Sequence, residues 1–232
     1  QEVISLEEKN KFLIELKLRK EFVGSPPSSK FKKVKHLKPM LSLSNAFNIK
    51  GMDDFMSKIR NFLNLKHINF EFSSEPKIDG ISATLVYEKG ILKKGLSRGD
   101  GITGEDILEN LKTIKEIPKI IKDKNVPSLL EVRGEIFIGK KDFKNIKGNF
   151  ANPRNAAGGT LRQKNSKETS KIPLKYFAYG FGALDPLTFK TQSDFLKSIS
   201  KWGFSTNPLV KVVKNLGEIQ KYHEQIDSIR SS

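Results

Sequence analysis

Ile81, Ala83, Leu85 and Tyr87 alternate with Ser82, Thr84 and Glu88, a period of two that predicts a half-buried strand running into the turn Glu88-Lys89-Gly90. A return strand from Ile91 to Ser97 completes a hairpin. Thr103, with Asp106 three residues on, reads as a helix N-cap; Ile107, Leu108, Leu111 and Ile114 supply the apolar face, and Pro118 ends the helix. From Leu129 to Ile138 a second strand puts Glu131, Arg133 and Glu135 on one face and Leu130, Val132, Ile136 and Ile138 on the other. A loop and short helix around Asn152–Gln163, an aromatic strand Tyr176–Phe181, a helix Ser193–Trp202 stopped by Gly203, and a strand Pro208–Val213 follow. The last stretch is an amphipathic helix on Leu216, Ile219, Tyr222, Ile226 and Ile229. Residues 1–22 predict a charged helix with Phe12, Leu13 and Leu16 in its stripe, broken by Gly24-Ser25-Pro26-Pro27-Ser28-Ser29. Hairpins with interspersed helices give an α+β class. The division expected is a helical segment and basic linker at 1–37 and a larger domain at 38–232.

Composition narrows the class. Lys and Arg number 42 against 26 Asp and Glu, a net charge of +16, which attracts polyanions; the bland alternative is a lysine-rich but merely solvated surface. There are no cysteines, so disulfides and thiolate metal sites are excluded. No apolar run approaches the roughly 20 residues that span a bilayer. The start of the chain shows no export signal, and a cytoplasmic, monomeric protein with no membrane partner is expected. His36, His67 and His223 are scattered and carry no assigned metal or acid–base role.

The chemistry concentrates in Glu75-Pro76-Lys77-Ile78-Asp79-Gly80. In an extended chain Glu75, Lys77 and Asp79 share one side, and Ile78 faces the core. A lysine at its ordinary pKa of about 10.4 is protonated, so attack on phosphorus needs burial or nearby cations to free the amine. In isolation the string also reads as a surface salt bridge in a turn. Four more stretches accompany it: Met40-Leu41-Ser42-Leu43-Ser44-Asn45-Ala46-Phe47; Ser97-Arg98-Gly99-Asp100-Gly101; Leu130-Glu131-Val132-Arg133-Gly134-Glu135; and the run from Phe150 through Asn152-Pro153-Arg154-Asn155 to Leu161-Arg162-Gln163. In order and spacing these resemble the adenylation domain of bacterial NAD-dependent DNA ligases, from Val23 to about Ser232. The lysine motif is shared with ATP-dependent ligases and capping enzymes, whereas the Asn-Pro-Arg-Asn stretch is more specific.

The resemblance implies a nucleotidyltransferase domain of mainly antiparallel sheets with flanking helices. By it, Lys77 is the nucleophile toward NAD, and Asp79 is the motif carboxylate that holds Mg²⁺ through water. Glu75 reads the adenine amino group, Ser42 and Leu43 contact the nucleotide, Arg98 meets ribose or phosphate, Glu135 engages the ribose hydroxyls, and Tyr179 stacks on adenine. Arg154 and Arg162 serve phosphates. The direct metal ligands are left open. Nicked duplex DNA and NAD or AMP are the implied partners, in replication and repair. For Tyr179 a core position, and for either arginine a plain surface position, are the alternatives left by the residues themselves. So are an ATP-dependent nucleotidyltransferase, and a basic DNA- or partner-binding fragment that does not react. Gly99-Asp100-Gly101-Ile102-Thr103-Gly104 also satisfies a dinucleotide fingerprint, but Leu92–Arg98 before it is not the continuous apolar strand a Rossmann fold requires.

Some of the family's pattern is missing. The family's N-terminal module grips nicotinamide mononucleotide with tyrosines and aspartates; this chain has no aspartate before Asp53 and no tyrosine before Tyr87. Residues 1–22 therefore read as a remnant of that module. The later lysine motifs, nick-encircling domains and zinc module would follow Ser232. The resemblance so implies a chain that forms the adenylate poorly alone and does not seal nicks.

Overall fold

A computed structural model describes residues 31–64, 71–146, 148 and 150–231. The helix expected over 1–22, the break at 24–29 and His67 lie outside the described residues. In chain order the elements are β1 (Lys33–Lys35), α1 (Ile49–Leu63), β2 (Phe72–Ser74), β3 (Ile81–Glu88), β4 (Ile91–Ser97), β5 (Thr103–Glu105), α2 (Leu108–Leu111) and β6 (Leu129–Phe137). Then come α3 (Lys140–Phe143), α4 (Pro153–Leu161), α5 (Ser166–Thr169), β7 (Lys175–Asp185), α6 (Gln192–Lys201), β8 (Lys211–Val213) and α7 (Leu216–Ser231).

The central sheet has the order β4-β3-β6-β7 and is antiparallel throughout. Its first hairpin closes at Lys89 and Gly90, both at positive φ (49° and 77°), the pair of left-handed residues a tight hairpin turn needs. Two small antiparallel pairs, β1-β5 and β2-β8, sit beside it. Mixed helices and antiparallel sheets agree with the α+β expectation. Among the described residues no helix is long and apolar enough to cross a membrane.

The sheet has two unlike faces. On one, Ala83, Leu85 and Tyr87 of β3 join Leu130, Val132 and Ile136 of β6 and Tyr176 and Ala178 of β7. Ala156, Ala157 and Leu161 of α4 and Phe195, Leu196 and Ile199 of α6 complete this core. Caps fix both helices: Asn152 accepts from the Asn155 amide ahead of Pro153, and Thr191 accepts from the Asp194 amide. The other face carries Ser82, Arg133, Glu135, Phe177 and Tyr179 and forms the floor of a cleft.

Two expectations change. Thr103 does not cap a helix. It lies in β5, paired with Lys35 of β1, because a partner strand from far upstream takes up the Thr103–Glu105 backbone. The helix that follows shrinks to α2, although Ile107, Leu111 and Ile114 are buried as the apolar pattern requires. The glycine-rich Gly99–Gly104 run is the link between antiparallel β4 and β5, with the Asp100 carboxylate accepting from the Ile102 and Thr103 amides. It opens no helix.

Gly134 marks the tightest packing in the sheet: a Cβ there would land on the Tyr176 ring and hydroxyl and on the Phe177 carbonyl. Gly134→Ala is expected to destabilise the fold by about 1–3 kcal/mol, the usual range for forced overpacking. Urea unfolding checks this, and an unchanged midpoint would contradict the packing described.

Candidate active site

The run Glu75–Asp79 crosses from β2 to β3 as extended chain outside any strand. Its exposure alternates as the sequence pattern requires, with Glu75, Lys77 and Asp79 exposed and Pro76 and Ile78 half-buried. Its far end is fixed at Gly80, where a Cβ would collide with the Ile136 carbonyl, so only glycine lets the chain pass so close over β6. Glu135 holds this crossing from below. Its carboxylate accepts from Ser82 Oγ at 2.8 Å and from the Gly80 amide. A lysine three residues before an anchored glycine thus projects from a backbone whose position is set by the sheet.

Lys77 opens onto a cleft of about 610 Å³. Of the ten residues singled out in the sequence, Ser42, Leu43, Glu75, Lys77, Arg98, Glu135 and Tyr179 line it. Tyr179 lines it beside Phe177, two residues back on the same face of β7. Gly180 pairs with Arg133 and Ala178 with Gly134, so Tyr179 is the extra residue of a bulge, after which Phe181 packs on Phe195 of the core. Asp79, Arg154 and Arg162 stand outside the lining. Asp79 Oδ1 accepts from Arg154 Nη1 at 2.9 Å, an exposed pair that is worth little as a fixed contact. Arg162 Nε donates to the buried Glu105 at 3.3 Å, beside Ser97 and Gly158.

Electrostatics follow from this packing. Burial raises the Glu135 pKa, opposed by the Ser82 hydroxyl, the charges of Lys77 and Arg154, and the Gly80 amide. Desolvation against the cleft wall also raises that of Glu75. Burial likewise raises the Tyr179 hydroxyl pKa, with the nearby Glu135 charge acting in the same direction. The polar floor therefore joins Ser82, Glu135 and Tyr179 into one group facing the lysine. Among the described residues no group of three His, Asp or Glu is placed to hold a metal ion.

Several lining residues were not singled out as site residues from the sequence: Met40, Ser82, Arg133, Phe177 and Asn207. Arg133 and Ser82 carried a signal, since each shares the polar face of its strand with Glu135 or its neighbours. Phe177 shares a face with Tyr179, two residues on. Asn207 gave none, because it comes from the loop that joins α6 to β8, and the fold brings it to the cleft where its neighbour Thr206 bridges to Ala178.

A lysine held by an extended crossing at the wall of a cleft, with a carboxylate and a tyrosine on its floor, defines the site: an amine presented to a cleft with both polar and aromatic lining. The comparisons make this specific. The chain belongs to the family of the NAD-dependent DNA ligase adenylation domain, whose model matches residues 28–232. It is 51% identical to the DNA ligase of Pelagibacter ubique over 230 residues, covering 99% of this chain and 34% of that protein. It is 45% identical to the DNA ligase of Parvibaculum lavamentivorans (90% and 31%) and 43% identical to that of Rickettsia canadensis (99% and 34%). The chain spans about a third of the length of these curated relatives.

Because the folded-state pKa of Glu135 is raised, its ionisation opposes folding; this penalty is absent below the unfolded pKa and fully present once pH exceeds the folded one. Glu135→Gln removes it. The melting temperature of the variant relative to wild type is therefore expected to be more favourable at pH 7 than at pH 4. Thermal scans across that range check it, and a difference that does not change with pH would contradict the buried carboxylate.

Proposed function

We propose that Lys77 is the nucleophile that accepts AMP from NAD, within a nucleotidyltransferase fold that serves the sealing of nicks in duplex DNA. The observation that carries this reading is the lysine's place on the wall of a cleft lined by Ser42, Leu43, Glu75, Arg98, Glu135 and Tyr179. The family membership supplies the nucleotide. In the step proposed, the Nζ lone pair forms a bond to the α-phosphorus of NAD. The bond from phosphorus to the nicotinamide mononucleotide oxygen breaks with its electron pair, and the amine gives up a proton. AMP then passes to a 5′-phosphate and is displaced by a 3′-hydroxyl. Positioning and charge stabilisation are the protein's main tools for such in-line displacements.

The residues divide the ligand by chemistry. Glu75, an acceptor when ionised, suits the adenine amino group. Tyr179 offers a ring for stacking on the base. Glu135 faces the ribose hydroxyls, and the Arg98 guanidinium suits ribose or phosphate oxygens. Arg154 and Arg162, at either end of α4, are candidates for phosphates of the nucleotide or of DNA. Mg²⁺, when bound, neutralises charge on the phosphate oxygens. Asp79 would hold such an ion through water, since magnesium keeps several of its waters. Asp79 would exchange Arg154 for that hydrated ion. The net charge of +16 favours a polyanionic partner.

Incubating the chain with NAD or with ATP, each labelled in the adenylate and supplied with Mg²⁺, tests this. Slow labelling from NAD is expected, and Lys77→Ala should reduce it at least a hundredfold, as loss of a nucleophile does. Label from ATP alone would favour an ATP-dependent nucleotidyltransferase. Activity unaltered in Lys77→Ala would favour a fragment that binds without reacting.

A further inference from the structure

The segment from Lys38 to Phe47 crosses the cleft without belonging to any strand or helix, yet Met40, Leu41, Ser42, Leu43 and Asn45 all line it. Its backbone has no ladder, so its position must come from elsewhere. Four successive carbonyls are taken by two arginines. Arg133 donates from Nη2 to Lys38 O at 2.6 Å and from Nη1 to Pro39 O at 3.1 Å. Arg98 Nη2 donates to Met40 O at 3.3 Å and Leu41 O at 3.2 Å. Met40 is buried, and its amide donates to Gly101 O at 2.8 Å. Beyond Met40 the chain is exposed through Ala46.

Arg133 is itself immobilised. Its Nε and Nη2 donate to Oε1 of Glu131 at 3.2 and 3.0 Å, while Glu131 Oε2 accepts from the Ala183 amide at 2.8 Å. Glu131 is wholly buried. A guanidinium has five N–H donors in a fixed fork. Nε, both donors of Nη2 and one of Nη1 are used here, so Arg133 spends its donors on protein and not on a ligand. A lysine ammonium at this place would be a single point, unable to span a carboxylate and two carbonyls.

We propose that Arg133 is a positioning residue: clamped by Glu131, it holds the Lys38–Leu43 strap over the cleft and so sets affinity for the nucleotide rather than the rate of lysine attack. This rests on the nucleotide reading of the cleft given above. Lys77 stands on a different anchor, the Gly80 and Ser82 bonds to Glu135, so loosening the strap leaves the nucleophile in place.

The test uses the wild-type chain, Arg133→Met and Arg133→Lys, in single-turnover adenylation across a range of NAD concentrations, with amide exchange followed by mass spectrometry. In both variants the half-saturating NAD concentration is expected to rise about tenfold, with the maximal rate within about twofold of wild type. The Met40 amide, which donates to Gly101 O, should exchange faster, while those of 83–86 in β3 keep their protection. If Arg133→Met does not fold, Arg133→Lys, which retains the charge opposite Glu131, carries the test. An unchanged half-saturating concentration, or a loss confined to the maximal rate, overturns the proposal. Failure of the wild type to label would instead sink the nucleotide reading. The strap would then stand or fall on exchange alone, unaltered exchange of the Met40 amide in the variants overturning it.

Discussion

A single carboxylate, Glu135, accepts from the Gly80 amide and from the Ser82 hydroxyl, and these bonds decide where the amine of Lys77 can stand. The chain from Glu75 to Asp79 has no strand partner, so nothing else on the cleft floor sets its height above β6. Gly80 makes the approach sterically feasible and Glu135 makes it favourable. The same carboxylate is mostly desolvated, which raises its pKa while the Lys77 and Arg154 charges pull the other way. A group so placed couples the architecture to the chemistry: it anchors the loop and faces whatever the cleft holds.

The opposite wall is built on a different principle. There an irregular segment carries no hydrogen-bond ladder and is pinned by the guanidinium groups of Arg133 and Arg98 through its carbonyls. Buried Glu131 offsets the Arg133 charge, and the Ala183 amide satisfies its second oxygen, so the pair is hydrogen-bonded as well as neutralised. One wall of the cleft is thus extended chain anchored to the sheet through Glu135, and the other is a strap held by side chains.

Elements governed by local pattern were legible in the sequence. The β3–β4 hairpin announced itself by alternation and by Lys89-Gly90, and α4 by Asn152-Pro153. Helix α1 is not among the elements expected from the sequence, although Asn48 followed by Ile49, Met52, Met56, Ile59 and Leu63 has a cap and a helical period; Gly51 and the surrounding charges dilute it. Strands β1, β2 and β8 are three residues each and exist because a distant partner pairs with them. That is also why Thr103 was misread as a cap. In the site, the period of two placed Lys77 and Glu135 correctly in relation to their faces. The bulge at Tyr179 and the arrival of Asn207 depend on β6–β7 register and on a loop return, neither of which is written in local spacing. Arg154 and Arg162 read as a pair in sequence, but their places at Asp79 and Glu105 separate them.

Everything in the proposed reaction requires that one amine, and no other of the many lysines in the chain, bonds to phosphorus. Peptide mapping by mass spectrometry after exposure to NAD and Mg²⁺ addresses that directly. The account predicts an adenylate on the peptide carrying Lys77, attached through its side-chain nitrogen. An adenylate on any other residue, with Lys77 unmodified, would contradict it.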